Sequence, residues 1–188
     1  MRARRPAPKT TSRSPEVSRL AAEHLTLAYD RRVIADDLSV EIPDHSFTVI
    51  VGPNGCGKST LLRALSRMLR PTGGQVLLDG AALSSYPAKT VARTLGLLPQ
   101  SSVAPDGITV ADLHDLDHAA RYATHLIAVQ GGRVVAEGAP SQIVTAELVE
   151  SVFGLRCQVI DDPQTGTPLI VPAARAARRT AVAATAAS

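Results

Sequence analysis

One segment constrains the fold of this chain more than any other: a glycine-rich stretch at residues 52–59 between two apolar runs. Its sequence, GPNGCGKS, fits the pattern G-x-x-x-x-G-K-[ST]. Before it, Ser46–Val51 is a β-branched and apolar run typical of a fully buried strand. After it, Lys58–Leu69 carries apolar residues at helical spacing and is stopped by Pro71. The order of strand, loop and helix predicts an α/β fold built around this loop.

The residue types in the loop suit the binding of a polyphosphate. Its three glycines let backbone N–H groups turn inward, and the start of the following helix adds a partial positive charge. The Lys58 ammonium would neutralise the β and γ phosphates, and the Ser59 hydroxyl would bind Mg²⁺. The predicted binding residues are Gly52, Pro53, Asn54, Gly55, Cys56, Gly57, Lys58, Ser59 and Thr60. The alternative is a glycine-rich turn that merely caps a helix.

The rest of the chain predicts hairpins and short helices. Alternating runs at Glu23–Tyr29 and Leu38–Ile42 indicate half-buried antiparallel strands that turn at residues 30–32. Further strands are predicted at Gln75–Leu78, Leu95–Pro99, Leu126–Val129, Arg133–Glu137, Arg156–Ile160 and Thr167–Val171, and helices at Ala88–Leu95, Ser141–Val144 and Ala146–Phe153. Residues 111–123 fit either a helix or a strand followed by a helix.

The two ends of the chain differ from its middle in composition. Residues 1–18 are rich in Arg, Pro and Ser/Thr, and residues 173–188 are rich in Ala and Arg. We expect both to be poorly ordered tails around one domain at 19–172. The net charge of +3 comes from the ends, since residues 20–171 alone carry −5. The domain therefore lacks the basic face that a phosphate backbone requires, and no nucleic-acid partner is expected.

Cysteine usage and hydropathy bear on where the protein works. The chain has two cysteines without paired spacing, which favours a reducing compartment. No apolar run follows Arg4-Arg5, so a signal peptide is not predicted. No run of about eighteen apolar residues occurs either, so a membrane role is expected to come through a partner.

Three stretches carry a family resemblance: GPNGCGKSTLLRAL from Gly52, GQVLLDG at 74–80 and GLLPQ at 96–100. They closely resemble the ATP-binding subunits of ABC importers, in the branch that serves iron–siderophore, haem and cobalamin uptake. The resemblance covers about residues 20–171. It implies a P-loop ATPase fold with an antiparallel β subdomain at the N-terminus, and it implies ATP and Mg²⁺ as ligands. It also implies a permease partner, a second ATPase subunit, and a cytoplasmic position on the inner face of the cell membrane.

The resemblance assigns roles to three residues outside the loop. Tyr29, 23 positions before Gly52, corresponds to the aromatic residue that stacks on adenine, with a packed tyrosine at a strand end as the alternative. Gln100 corresponds to the glutamine that joins the Mg²⁺ and water shell and senses the membrane partner. His114, in LHDL, corresponds to the switch histidine that faces the γ-phosphate.

The family pattern breaks between Gln100 and His114, which are only fourteen positions apart where the family has a long stretch. The helical subdomain that docks on the permease, the LSGGQ-type signature and the apolar strand ending in Asp-Glu are missing. We interpret the chain as a truncated copy with an internal deletion, in which residues 109–113 (TVADL) keep a strand at the junction. Hydrolysis is expected to be feeble or absent because no residue orients the attacking water.

Other interpretations of the same residues stay open. Val76–Asp79 (VLLD) imitates an apolar strand ending in acid, although the Asp-Gly pair there is better explained as a hairpin turn. Asp115 and Asp117 are candidates for carboxylates near the γ-phosphate. His114 and His118 have the i, i+4 spacing of metal ligands, without a convincing third ligand. As a whole, the chain is an importer ATPase subunit impaired in hydrolysis, a non-hydrolysing nucleotide-binding module or inert fragment, or a small P-loop kinase.

Overall fold

The computed structural model describes residues 19–97 and 110–173, and for residues 110–115 the backbone alone. Apart from Ala173, both predicted tails lie outside these ranges. The strands are β1 Leu20–Tyr29, β2 Arg32–Ile42, β3 Thr48–Val51, β4 Gly73–Leu78, β5 Ala81–Ala82, β6 His125–Gln130, β7 Arg133–Gly138, β8 Cys157–Asp161 and β9 Pro168–Pro172. The helices are α1 Lys58–Leu65, α2 Ala88–Thr94, α3 Val110–Tyr122, α4 Pro140–Ile143 and α5 Ala146–Phe153.

The N-terminal half forms an antiparallel sheet in the order β2-β1-β4-β5. Strand β1 lies between its neighbours, with Leu20 opposite both Ile42 of β2 and Leu78 of β4. Its Leu25 and Leu27 are fully buried because the side chains of one sheet face point into the core. This sheet confirms the antiparallel β subdomain expected at the N-terminus.

The VLLD segment belongs to this antiparallel sheet. Its last residue, Asp79, follows β4 in a turn with Gly80 and accepts a hydrogen bond from Arg19 Nε at 2.7 Å. The ion pair with Arg19 holds the pKa of the Asp79 carboxyl below its ordinary value. The hairpin-turn interpretation is therefore confirmed, and the interpretation of VLLD as an acidic catalytic strand is wrong.

A second sheet has the order β3-β6-β7 and contains a parallel pair. Strand β3 pairs with β6 from Thr48 opposite His125 to Val51 opposite Ala128, and β7 runs antiparallel to β6. Successive side chains of β3 point to opposite faces. Ile50 packs against the core around α1, whereas Val49 packs against the core around α3 and α5. Strand β3 therefore joins the two hydrophobic cores.

Helix α1 is shorter than predicted, because it ends at Leu65 rather than Leu69. Arg67 adopts a left-handed φ of 63°. The N–H groups of Met68 and Leu69 both bond to the carbonyl oxygen of Arg63, at 2.7 and 3.0 Å. A residue in the left-handed conformation ends a helix and lets the last carbonyls bond backwards, a feature that apolar spacing does not reveal.

The structure also differs from two predictions for later parts of the chain. The strand expected at Leu95–Pro99 is absent from its described part, since residues 95–97 lie in no sheet, and residues 98–99 are outside the described ranges. Residues 110–122 form one helix, so the strand proposed at 109–113 is wrong for its described residues. A helix satisfies its backbone within one segment, whereas a strand needs a neighbour that supplies a ladder.

The C-terminal hairpin β8–β9 packs on α3, close to where the sequence predicts a last hairpin. The Ile170 N–H donates to Asp117 Oδ1 at 3.0 Å, and Arg121 forms an ion pair with the buried Asp162. The hydrogen bond from the Gln164 N–H and the Arg121 guanidinium hold the pKa of the Asp162 carboxyl below its ordinary value. The hairpin is thus fixed to the helix that carries His114.

Candidate nucleotide-binding site

The glycine-rich loop at residues 52–59, the P-loop, starts where β3 ends and touches the neighbouring strand. Gly52 has φ 149°, and a Cβ on it would lie 2.0 Å from the Val129 carbonyl oxygen. No side chain fits at that distance, so only glycine lets β3 enter the loop beside β6. The motif's first glycine is thus required by close backbone packing.

The loop ends by starting α1 without a side-chain cap. Gly57, the N-cap residue, is left-handed with φ 107°, and no side chain bonds there. Gly55 is also left-handed, with φ 75°, and the space beside it is open. The start of α1 therefore has no side-chain cap, and its positive end suits an anion.

Lys58 places a positive charge beside the first residues of the loop. Its Nζ donates to the carbonyl oxygens of Gly52 at 2.6 Å and of Pro53 at 3.0 Å, and it lies 3.9 Å from the Cys56 sulfur. An ammonium has three protons and no acceptor, so it is free to exchange a carbonyl for an anionic oxygen. The left-handed glycines, uncapped helix and bridging lysine fit a polyphosphate, and Ser59 and Thr60 follow in the first turn of α1.

Tyr29 lies at the end of β1 beside α1. Its side chain is 40% exposed, and its hydroxyl accepts a hydrogen bond from Arg63 Nη1 at 3.1 Å. Arg63 belongs to α1, the helix that begins at the P-loop. The tyrosine therefore lies beside α1 and is partly exposed to solvent. Stacking on adenine stays a prediction.

The structure describes the predicted catalytic residues only in part. Gln100 lies outside the described residues, and His114 is in α3 with only its backbone described, as is Asp115. Asp117 Oδ1 accepts a hydrogen bond from the Ile170 N–H of the C-terminal hairpin, and its place near the γ-phosphate stays a prediction. The His118 ring packs edge-on against Tyr122, and the described side chains contain no group of three possible metal ligands.

The outer edge of β3 carries no acidic strand within residues 19–97 and 110–173. In this part of the chain β3 pairs with β6 alone. A group that orients an attacking water has to lie near the γ-phosphate. Such groups are found at the ends of strands adjacent to a P-loop strand. The described structure thus provides a phosphate cradle without a neighbouring carboxylate-bearing strand.

The sequence analysis missed two residues that touch the P-loop. Gly132, in the turn between β6 and β7, donates its N–H to the Cys56 carbonyl oxygen at 3.2 Å. Ile34 of β2 places its Cγ2 3.3 Å from the position of a Cβ on Gly57. The one available signal was the Gly131-Gly132 pair, since two adjacent glycines suggest a close backbone approach as well as a turn.

Comparison with known proteins identifies the class of protein that this fold and site define. A sequence model described as ABC transporter matches residues 35–148. The ferric enterobactin transport ATP-binding protein FepC of Escherichia coli K12 is 36% identical over 88% of this chain and 98% of FepC. The probable siderophore transport system ATP-binding protein YusV of Bacillus subtilis 168 is 31% identical, over 85% of this chain and 94% of YusV. The chain belongs to the ABC transporter ATP-binding family, in the iron–siderophore and haem importer branch.

Solved structures with low sequence identity support the same fold. An ATP-binding subunit of an ABC transporter superposes with a TM-score of 0.55 at 15% identity, covering 74% of this chain and 95% of that one. The cbiO1 subunit of the Clostridium perfringens cbiONQ complex gives 0.52 at 14% identity, covering 71% and 93%. The P-loop ATPase fold is therefore confirmed.

The comparison also exposes a difference in length. The FepC alignment extends over 265 positions, more than the 188 residues of this chain. Part of the relative therefore has no counterpart here.

Within the described residues, no helix is long and apolar enough to cross a membrane.

Proposed function

We propose that the chain binds MgATP and acts as the ATP-binding subunit of an importer for iron–siderophore complexes, with impaired hydrolysis. The observation that carries the proposal is the P-loop, where left-handed glycines, the uncapped start of α1 and the Lys58 ammonium converge. The siderophore systems named for FepC and YusV support the choice of transported substrate.

The residues of the site have separate roles in this proposal. Amides of residues 52–60 hold the triphosphate, Lys58 neutralises its β and γ oxygens, and the adenine stacks on Tyr29. Ser59 and Gln100 would hold Mg²⁺, which would neutralise phosphate charge when bound. His114 faces the γ-phosphate as the switch residue. The described residues place no carboxylate-bearing strand beside β3, so turnover is expected to be slow.

The proposed partners are a transmembrane permease and a second ATPase subunit. Both follow from family membership, because importer subunits of this kind work in pairs at a membrane. The chain would then be cytoplasmic and peripheral on the inner face of the cell membrane. The substrate would be chosen by other subunits of the transporter.

The second candidate is a non-hydrolysing nucleotide-binding module or an inert fragment produced by an internal deletion. The outer edge of β3, unpaired within the described ranges, favours this candidate. Co-purification with the neighbouring permease separates the two, since a module or fragment would bind MgATP and leave the permease behind. Resequencing the gene tests the deletion, which a recovered missing segment would overturn.

The phosphate site is tested by titrating MgATP calorimetrically into wild type, Lys58→Ala and Lys89→Ala. We expect Lys58→Ala to weaken binding by about 100-fold or more, because charge-assisted bonds to two phosphates contribute about 3 kcal/mol together. Lys89 is exposed on α2, so its replacement removes the same charge outside the loop. Equal affinities for the two variants would contradict the site.

A further inference from the structure

The turn between β6 and β7 is wedged between the P-loop and β2. On one side, the Gly132 N–H donates to the Cys56 carbonyl oxygen at 3.2 Å. On the other side, a Cβ on Gly132 would lie 2.1 Å from the Ile34 carbonyl oxygen and 2.8 Å from Ala35 Cα. The turn therefore has no room to move toward β2 and is held in position to bond the loop.

The hydrogen bond from Gly132 fixes the direction of one peptide group of the loop. No cis peptide bond occurs in the described residues. In a trans peptide the C=O and the following N–H point in opposite directions. The Cys56 carbonyl points at the turn, so the Gly57 N–H points away from it. That N–H belongs to the residue that starts α1, where an anion is expected.

Strand β2 restrains the same glycine from another direction. Gly57 has φ 107° and no side chain, so its own conformational freedom is large. The Ile34 Cγ2 lies 3.3 Å from where its Cβ would be. The Ile34 side chain thus lies beside the position of a Gly57 Cβ, and its carbonyl group faces Gly132. The loop, the turn and the strand form a closed set of contacts.

We propose that Gly132 and Ile34 are positioning residues for nucleotide binding, because they hold the Cys56–Gly57 peptide with the Gly57 N–H toward the polyphosphate. Neither residue needs to touch the nucleotide. The inference rests on the proposed binding of MgATP by this loop. It adds the β6–β7 turn and β2 to the parts of the chain that set affinity.

The first test compares Gly132→Ala with Gly131→Ala in the full chain. Both glycines are left-handed, with φ 76° and 57°, but a Cβ on Gly131 meets nothing within 4 Å. The two substitutions therefore share the conformational strain and differ in the contact with Ile34. By calorimetry with MgATP, we expect about tenfold weaker binding or more for Gly132→Ala and a change of about twofold or less for Gly131→Ala. Equal affinities would overturn the inference.

A second pair of variants covers the case in which Gly132→Ala does not fold. Ile34→Val keeps Cγ2, whereas Ile34→Ala removes it. We expect Ile34→Ala to weaken MgATP binding by about fivefold and Ile34→Val to retain wild-type affinity within about twofold. Indistinguishable affinities for these two variants would overturn the inference.

The Gly57 amide resonance in ¹H–¹⁵N spectra separates positioning from loss of stability. A purely structural role would leave the MgATP-induced shift of this resonance unchanged in the folded fraction. We expect the shift to shrink in Ile34→Ala and to persist in Ile34→Val. An identical shift in both would contradict the positioning role. A wild-type chain without affinity for MgATP would instead contradict the proposed function itself.

Discussion

The two flanks of strand β3 differ in what they supply. On the inner flank, β6 pairs with all four residues of β3, and its turn with β7 bonds the P-loop. On the outer flank, the described residues place no strand. The inner flank supplies what nucleotide binding needs, whereas the outer flank is where a catalytic carboxylate would be expected.

Binding and hydrolysis draw on different parts of the chain. A phosphate cradle comes from eight consecutive residues and the contacts that hold them, so it survives when a distant segment is missing. Orientation of a water needs side chains from several segments at defined distances. A chain can therefore keep the first property and lose the second.

The largest effect on the inner flank is expected from Gly52→Ala. A Cβ there would lie 2.0 Å from the Val129 carbonyl oxygen, so we expect a loss of about 3 kcal/mol in the free energy of unfolding. The matched control is Gly55→Ala, which has open space and should cost about 1 kcal/mol for its left-handed conformation. Urea unfolding measures both. Equal losses would show that the contact between the loop and β6 is not tight.

An intermediate effect, on nucleotide binding, is expected at Tyr29. Tyr29→Ala should weaken MgATP binding about tenfold through loss of stacking, whereas Tyr29→Phe keeps the ring and should stay within about twofold. The phenol hydrogen bond from Arg63 is partly exposed, so its loss alone should have little effect. An unchanged calorimetric affinity in Tyr29→Ala would contradict stacking of Tyr29 on adenine.

The smallest effect concerns the C-terminal hairpin and depends on pH. The folded pKa of Asp162 is lowered from 3.8, so its stabilisation is present above about pH 4 and is lost as pH falls through the lowered value. We expect Asp162→Asn to reduce stability at pH 7 and to flatten the decline of stability below about pH 4. Asp161→Asn is the control, since Asp161 is the exposed neighbour. Urea midpoints that fall in parallel with decreasing pH for wild type and Asp162→Asn would contradict this account.

Local pattern predicted the elements that flank the P-loop because strand and helix periods are written in consecutive residues. The antiparallel hairpins and the turn at Asp79 followed from alternation and turn chemistry. The end of α1 was predicted four residues too late, since the left-handed Arg67 carries no compositional signal. Residues 110–113 were expected to form a strand, and periodicity alone does not decide whether a strand finds a neighbour.

At the site, the sequence motif predicted the P-loop but not Ile34 and Gly132, the residues that pack beside it. Lys58 and the glycines are recognisable because phosphate binding demands them at fixed spacing. Ile34 and Gly132 lie 18 residues before and 80 residues after Gly52, and only folding brings them together. Asp117 was a reasonable candidate from its position beside His114, yet its carboxylate contacts β9. Long-range contacts of this kind are not encoded in any short window.

We expect this chain to hold MgATP in its P-loop and to turn it over feebly or not at all. The direct test measures calorimetric binding and phosphate release on one purified sample, at saturating MgATP, with and without the neighbouring permease. We predict a saturable binding isotherm and phosphate release no faster than that of Lys58→Ala in both cases. Sustained release well above that background, or no binding isotherm at all, would contradict the account.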